Sequence, residues 1–334
     1  MEEKILLAHG SGGKLSHDLL KKTVVSRFSN PFLDRMDDSA VVDISGRVAF
    51  TTDSYVVSPI FFAGGDIGRL AVCGTVNDLS MAGANPLYLS LSLILEEGFP
   101  LSDLEKIISS IQDTAEEAGV KIVTGDTKVV NRGMADKIFI NTSGVGLVPN
   151  GVNVSGSNAR PGDKIILSGT IGDHGIALLS QREGLEFQTT LKSDCAPLNT
   201  LVREILEASK NVHALRDPTR GGLASTLCEF AQSSDVGIRI EEEKIPMKNA
   251  VRAVCELMGF DPLYVANEGK VVVAVTREDT DKVLQKMQRN RYGGEASVIG
   301  EVVSEHPGRV VMKTPLGTSR IVEMLMGELL PRIC

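Results

Sequence analysis

The sequence predicts an α+β fold of the α/β sandwich type, with two domains and an extended C-terminal tail. Three observations lead to this prediction. A chain of 334 residues is long enough for two domains that each bury their own core. Leucines recur at every other position from Leu87 to Leu95, which is the alternation of a strand with one buried face. A helical pattern follows over residues 102–118, so sheet and helix are expected to pack as layers.

The first half contains further signals of the same kind. Ser102 and Glu105 have the spacing of a capping box at the start of the predicted helix, and Gly119 suits its end. A second helix is expected before the leucine strand, over residues 66–82. Two more strands complete the predicted layer, at 120–124 and 138–148.

The second half begins after a connection, residues 150–162, that is rich in glycine, serine, asparagine and proline. We therefore place a first domain at residues 1–153, a second at 154–320 and a flexible tail at 321–334. The second domain is expected to hold strands at 164–167, 237–240, 270–275, 296–302 and 309–312, and helices at 172–182, 197–209, 221–234, 247–257 and 281–290.

Charge and hydropathy exclude several classes of protein. The chain has 35 basic and 43 acidic residues, a net charge of -8, which argues against a general binder of nucleic acids or anionic membranes. It contains no run of ~18 apolar residues that would span a membrane. We expect a soluble, cytoplasmic protein whose acidic residues attract cations.

The five cysteines form no C-x-x-C pair and are odd in number, so neither a disulfide framework nor a zinc ribbon is indicated. Cys73, Cys228 and Cys255 lie among apolar helical residues and are expected in the core. Cys334 is different because it ends the chain, where its thiol would lie on a free arm. Position alone does not distinguish a functional thiol there from a silent one.

Several aspartates close or interrupt apolar segments: Asp37, Asp38, Asp53, Asp78 and Asp126. Like charges gathered in one cleft need a cation, and carboxylates without cysteine or histidine neighbours suit Mg²⁺. A single aspartate of this kind is as well explained by a turn or a helix cap. The recurrence of the pattern favours a metal site.

Two glycine-rich segments are candidates for anion binding. Gly12, Gly13 and Lys14 belong to an N-terminal loop whose backbone N–H groups suit phosphates, although Leu15 excludes a Walker A motif. Asp217 belongs to a charged turn, residues 216–223, that runs into a helix start. A flexible turn and an ordinary capped helix explain the two segments as well.

Taken in order, the motifs resemble those of the aminoimidazole-ribonucleotide synthetase (PurM-like) superfamily over nearly the whole chain. The motifs are Gly10-Ser11-Gly12-Gly13, Asp37-Asp38, Thr52-Asp53-Ser54, Asn77-Asp78-Leu79, Gly125-Asp126-Thr127, Arg160-Pro161-Gly162-Asp163, Gly172-Asp173-His174-Gly175 and Asp217-Pro218-Thr219-Arg220-Gly221-Gly222. The ending Pro331-Arg332-Ile333-Cys334 resembles that of the hydrogenase-maturation branch of the superfamily.

The resemblance implies a homodimer that uses ATP and Mg²⁺ and acts as a carbamoyl dehydratase, a lyase. It implies that a carboxamide on the sulfur of Cys334 is dehydrated to a thiocyanate, which supplies the cyanide ligand of the NiFe-hydrogenase centre. The implied partners are the carbamoyltransferase HypF, which loads the carboxamide, and the HypC–HypD complex, which receives the cyano group. A small-molecule kinase or synthetase of the superfamily and a non-catalytic cyano carrier are the alternatives.

The resemblance also implies roles for individual residues. Cys334 would carry the reacting group, and Lys128 and Glu268 match positions proposed to deprotonate it; a charge-balancing lysine and a turn acid are the alternatives. Magnesium would be held by Asp38, Asp53, Asp78 and Asp126. The nucleotide would be bound by Gly12, Gly13, Lys14, Asp53, Asp78, Asp126 and Asp217.

The reach of the tail is consistent with such a carrier. The 14 residues from Ile321 to Cys334 span at most ~46–50 Å when extended, enough to move between a partner and the chain's own cleft. Arg332 is expected to act as a docking handle through a carboxylate or backbone carbonyls.

Overall fold

Two large β-sheets organise the described part of the chain, one in each half, and a small two-stranded sheet lies in the first half. The computed structural model describes residues 3–10, 13–35, 39–182, 190–327, 330 and 332–333. The first half contains helices α1 (Lys14–Leu20), α2 (Ser26–Phe28), α3 (Ile67–Met81) and α4 (Leu101–Ala118), and strands β1 (Arg47–Tyr55), β2 (Phe61–Phe62), β3 (Gly65–Asp66), β4 (Asn85–Glu96), β5 (Lys121–Val130) and β6 (Ile138–Val148).

The first sheet has the strand order β1-β6-β4-β5 and is covered on one side only. Its helix face is defined by buried side chains against α3 and α4, including Leu89, Leu91 and Thr142. Its open face carries Phe50 and Ile94, which are 69% and 42% exposed. The predicted leucine strand is therefore confirmed.

Leu87 departs from the leucine alternation and is only partly buried. The register of β4 against β6 shifts between Pro86 and Tyr88, so a local bulge changes which residues point inward. A two-residue period read from sequence does not reveal such a shift.

The helix predicted at 102–118 begins one residue earlier, and its capping box does not form. Pro100 occupies the N-cap position and no side chain caps the helix. The end is as predicted, because Gly119 has φ 71° and its amide donates to the carbonyls of Ala115 and Glu116.

The second half contains helices α5 (Asp173–Leu179), α6 (Asn199–Ala208), α7 (Gly222–Ser233), α8 (Asn249–Met258) and α9 (Thr280–Arg289), and strands β7 (Lys164–Leu167), β8 (Val212–Arg216), β9 (Gly237–Glu241), β10 (Val272–Val275), β11 (Ser297–Val303), β12 (Val310–Lys313) and β13 (Ser319–Val322). The second sheet has the order β13-β12-β9-β11-β7-β10-β8. Its strands pair antiparallel except for β9 with β12, which is parallel. The mixture of helices and sheets confirms the predicted α+β class.

The tail does not extend away from the body where the structure describes it. Ile321 and Val322, which the sequence placed in the tail, belong to β13. The carbonyl of Glu323 accepts a hydrogen bond from Tyr264, and Ile333 is 5% exposed. The expected free arm is therefore docked as far as Ile333, while Cys334 lies outside the described residues. The domain boundaries at 153 and 320 stay predictions.

The cysteines expected in the core are buried, as is Cys195. In the described part of the chain, no helix has the length and apolar character needed to cross a membrane.

Candidate functional site

Four acidic side chains from both halves of the chain meet at one site. Asp53 lies on β1, Asp78 on α3, Asp217 directly after β8, and Glu268 shortly before β10. Asp53 pairs with Thr142 and so points to the helix face of the first sheet. Because that face packs on α3, β1 and Asp78 come together.

A hydrogen bond and mutual electrostatic effects tie the cluster together. Thr51 Oγ1 donates to Asp78 Oδ2 at 2.9 Å. Burial raises the pKa of Asp78, and the charge of Asp53 raises it further. Burial, followed by the charge of Asp78, raises the pKa of Asp217 to about 7. These carboxylates repel one another within a partly closed space, which a hard cation would relieve.

Glu268 is the most enclosed member of this cluster. It is 3% exposed, and its Oε1 has no hydrogen-bond partner. Burial raises the pKa of Glu268 well above its usual range, and Cys195, Asp217 and Asp53 add to the shift. An uncompensated buried carboxyl of this kind is typical of functional sites.

The loop that holds Glu268 is fixed from both sides. Asn267 is fully buried; its Oδ1 accepts from the Gly172 amide at 2.7 Å and its Nδ2 donates to the Pro218 carbonyl at 2.9 Å. The Glu268 amide donates to Asp194 Oδ1 at 3.1 Å. Lys270 donates to the other oxygen of Asp194 at 2.9 Å. Glu268 therefore has a defined backbone position.

The structure does not bring Asp126 and Lys128 to this cluster within one chain. Asp126 is paired with Ser92, whereas its neighbour Gly125 shares a row with Leu91 and hence with Asp53. Asp126 and Lys128 therefore point to the open face, and they form an ion pair of 2.9 Å. β1 and β5 are the two outer strands, three strand spacings or about 14 Å apart.

Two of the remaining predicted residues, Gly13 and Lys14, have other surroundings in the described part of the chain. Asp37, Asp38, Gly12 and Cys334 lie outside the described residues. Gly13 is the N-cap of α1, and Lys14 is an exposed side chain paired with Asp18. Among the described residues, no three metal-ligating side chains stand close enough to hold an ion. Asp53 and Asp78 are the predicted metal ligands that the chain does place side by side.

Arg332 docks the tail onto the first half of the chain. Its Nη1 lies 2.5 Å from Asp136 Oδ2, and its Nε donates to the Val56 carbonyl at 2.9 Å. Its own carbonyl accepts from the Ser58 amide and from Arg182 Nη2, each at 3.1 Å. The prediction of a handle that uses a carboxylate and a backbone carbonyl is confirmed.

Ile333 lies between the two halves of the chain, and its carbonyl accepts a hydrogen bond from His174 Nε2 at 2.7 Å. The sequence singled out the motif around His174 but gave the histidine only a structural interpretation. The neighbouring Gly175 leaves room for this contact, although a Cβ there would first meet Val265 Cγ1, at 2.5 Å, and Ile333 Cδ1 only at 3.3 Å. Arg182, Ser58 and Asp136 carried no signal in the sequence.

Family models define the class of this fold and site. The AIR synthase related protein N-terminal domain matches residues 36–148, and the C-terminal domain of the same family matches residues 160–313. The chain thus has the two-domain order of AIR synthase related proteins.

Full-length relatives specify the branch. Carbamoyl dehydratase HypE of Azotobacter vinelandii is 51% identical over 329 residues, which are 98% of this chain and 96% of the relative. A crystal structure of hydrogenase maturation protein HypE in complex with ATP matches at 48% identity and a TM-score of 0.95, over 98% of this chain and 99% of that one. A crystal structure of a HypE–HypF complex matches at 51% identity and a TM-score of 0.82, over 92% and 99%. The chain belongs to the HypE carbamoyl dehydratase family.

The resemblance found in the sequence is therefore confirmed for both the superfamily and the hydrogenase-maturation branch. The kinase or synthetase and the non-catalytic carrier are not favoured, because relatives that match end to end are dehydratases by name.

Proposed function

We propose that this protein is an ATP-dependent carbamoyl dehydratase of hydrogenase maturation that converts an S-carboxamide on its own Cys334 into a thiocyanate. The observation that carries the proposal is the docked tail. Arg332 and Ile333 are bound between the halves of the chain, and Ile333 packs in the same apolar cluster as Ala266, two residues before Glu268. The described end of the tail, Ile333, thus belongs to the same apolar cluster as the segment that leads to Glu268, which supports the proposal.

The chemistry requires that a poor leaving group become a good one. ATP transfers its terminal phosphoryl group to the carboxamide oxygen; the C–O bond then breaks and the oxygen leaves as phosphate. Both protons leave the nitrogen, and its electron pairs form the C≡N triple bond. The products are the S-bound cyano group, ADP and phosphate, so one water is lost from the thiocarboxamide.

Magnesium fits the acidic cluster by charge, and the bound ion would offset the repulsion between the carboxylates and the phosphates of ATP. Asp53, Asp78 and Asp38 would hold Mg²⁺, supported by the repulsion that raises the pKa of Asp78. The ion supplies charge stabilisation for phosphoryl transfer when bound. Gly12, Gly13, Lys14 and Asp217 are the proposed nucleotide contacts, in addition to the aspartates. The crystal structure of a HypE protein in complex with ATP supports ATP binding by this chain.

Glu268 is the proposed base for the carboxamide nitrogen. Burial raises the pKa of Glu268 well above its usual range, so its carboxylate is a stronger base than that of an ordinary glutamate. Its free Oε1 can accept a hydrogen bond from the substrate without losing another partner. Asn267 and Asp194 fix the backbone that presents it.

Asp126 and Lys128 would join the site from a second copy of the chain. The open face carries apolar side chains, Phe50 and Ile94 among them, that a homodimer would cover. A two-fold axis along the strands, between two open faces, places β5 of one chain over β1 of the other. Lys128 of one chain would then lie beside the outer strand β1 that carries Asp53 in its partner.

The proposed partners follow from the family. The carbamoyltransferase HypF would load the tail, supported by the HypE–HypF structure, and a HypC–HypD complex would receive the cyano group. The free buried cysteines are consistent with work in the reducing cytoplasm.

The experiment is mass spectrometry of carbamoylated protein before and after Mg-ATP. The C-terminal peptide should lose the mass of one water as phosphate appears, and Cys334→Ala should lose the reaction while Cys255→Ala, which removes a buried thiol of α8, keeps it. Glu268→Gln should bind ATP yet dehydrate at least 100-fold more slowly, in the range lost with a general base. ATP consumed without the loss of water would contradict the proposal.

A further inference from the structure

One fully buried side chain holds the end of the tail directly. His174 on α5 lies with its Nε2 2.7 Å from the Ile333 carbonyl oxygen. Its Nδ1 lies 2.8 Å from Ser193 Oγ. Phe62 packs edge-on against the ring, with 5.5 Å between the centroids. The imidazole is therefore held on three sides.

These contacts select one form of the histidine. A carbonyl oxygen only accepts hydrogen bonds, so Nε2 must carry a proton. Nδ1 can then accept from the Ser193 hydroxyl, whose oxygen accepts the Cys195 amide at 3.1 Å. Burial lowers the pKa of His174, which keeps the ring neutral with its single proton on Nε2.

We infer that His174 is a positioning residue that holds the Ile333 carbonyl and thereby aims residue 334 at Glu268. The inference rests on the proposed function, since the orientation of residue 334 matters only if Cys334 carries the reacting group. The carbonyl carbon of Ile333 is bonded to the amide nitrogen of residue 334, so the position of this carbonyl fixes where that residue begins. Fixing this last peptide group restricts where the sulfur can be.

The histidine and the proposed base share one frame. The Gly175 amide, next to His174, donates to the Ala266 carbonyl at 3.1 Å, and the Gly172 amide donates to Asn267 Oδ1 at 2.7 Å. α5 is thus hydrogen-bonded on both sides of His174 to the segment that carries Glu268. A group aligned by His174 is therefore aligned with respect to Glu268.

Arg332 cannot supply this alignment. Its side-chain contacts, to Asp136 and the Val56 carbonyl, lie on the first half of the chain, and its own carbonyl, which accepts from Ser58 and Arg182, belongs to the peptide group one residue earlier. Without the His174 hydrogen bond, the last peptide group would turn about the bonds that follow Arg332. Arg332 thus anchors the tail, and His174 orients its last peptide group.

The contacts that hold Arg332 and Ile333 are called the seat of the tail. The first test measures how well this seat protects the Cys334 thiol from chemical modification. Full-length protein is treated with iodoacetamide, and the rate at Cys334 is read from the C-terminal peptide by mass spectrometry. We expect His174→Leu to raise this rate at least tenfold. His174→Gln should stay within about threefold of the native rate, because its Nε2 amide can donate in place of the ring nitrogen. An unchanged rate in His174→Leu would overturn the inference.

The core cysteines are the internal control, because Cys73 and Cys195 react only if the protein opens. Their modification in step with Cys334 would show a merely structural role and overturn the inference. If His174→Leu does not fold, Ser193→Ala serves instead. This variant keeps the imidazole but removes the hydroxyl that holds the proton on Nε2 by donating to Nδ1. We expect the modification rate of Cys334 to rise several-fold.

The second test measures a single turnover of carbamoylated protein. His174→Leu should slow dehydration at least tenfold without changing the ATP concentration needed for half-maximal rate, and His174→Gln should recover most of the rate. A weaker affinity for ATP instead of a slower dehydration would overturn the positioning role. If native protein does not dehydrate either, the proposed function fails, whereas the thiol protection still tests the seat by itself.

Discussion

Asp217 makes the folded chain sensitive to pH through its carboxylate neighbours. Its pKa is raised from 3.8 to about 7, first by burial and then by Asp78. The folded state therefore holds the proton more tightly than the unfolded state. The stability that this proton provides is complete below about pH 4 and is lost as the pH rises through about 7.

Asp217→Asn removes this loss because an amide stays neutral. We expect the variant to match the native protein near pH 4 and to exceed its free energy of unfolding by on the order of 2 kcal/mol at pH 8, less than the full shift implies because Asp217 is partly exposed to solvent. Urea unfolding at both pH values measures the difference. Asp281→Asn, an exposed substitution on α9, is the control; an equal gain there would contradict the explanation.

For single residues, sequence motifs identified most members of the site, whereas contacts between distant residues were not predicted. Asp53, Asp78, Asp217 and Glu268 were all named from sequence, and the fold brings them together. His174 was missed because its partner, the Ile333 carbonyl, is 159 positions away and is a backbone group with no identity in the sequence. Periodicity and spacing reveal local order, but not a contact of this kind.

Individual strands and helices were predicted where one side of the element is buried and the other is not. The leucine strand and α4 have that pattern, and both are present. Strands β1, β8 and β13 were not predicted, and all three are edge strands. An edge strand has one hydrogen-bonded neighbour and a less regular burial pattern, so its sequence carries a weaker signal.

The end of α4 offers a test at this scale. Gly119 has φ 71°, and a Cβ there would meet no atom within 4 Å, so only backbone strain opposes a side chain. We expect Gly119→Ala to lower the free energy of unfolding by about 1 kcal/mol. Gly294→Ala is a matched control, since it has the same open space without a positive φ. Chemical denaturation should show no loss for the control; an equal loss in both variants would exclude strain as the cause.

For the whole molecule, Lys128 and Glu268 lie too far apart in one chain to act together. The motifs predicted both residues for one reaction, yet within a chain they lie in different places, Lys128 on the open face and Glu268 at the junction of the halves. Sequence order does not show which copy completes a site. The proposed dimer reconciles the two positions.

Mixed dimers test this arrangement. Lys128→Ala and Glu268→Gln should each be inactive as homodimers. A heterodimer of the two, isolated by different N-terminal tags, has one site with both native groups and should show about half of the native dehydration per dimer. Single-turnover mass spectrometry of the C-terminal peptide gives the yield. A heterodimer as inactive as its parents would place both residues in the same chain's site.

The short segment between β13 and the buried Ile333 makes the tail a tethered ligand. Because Val322 is anchored in the sheet and Ile333 in the junction, the local concentration of the tail at its seat is on the order of millimolar. A partner present at micromolar concentration competes poorly for the tail while the tail occupies its own seat. In the proposed function, exchange of the tail with a partner would therefore be governed by how often the tail leaves its binding place, and not by how often the proteins collide.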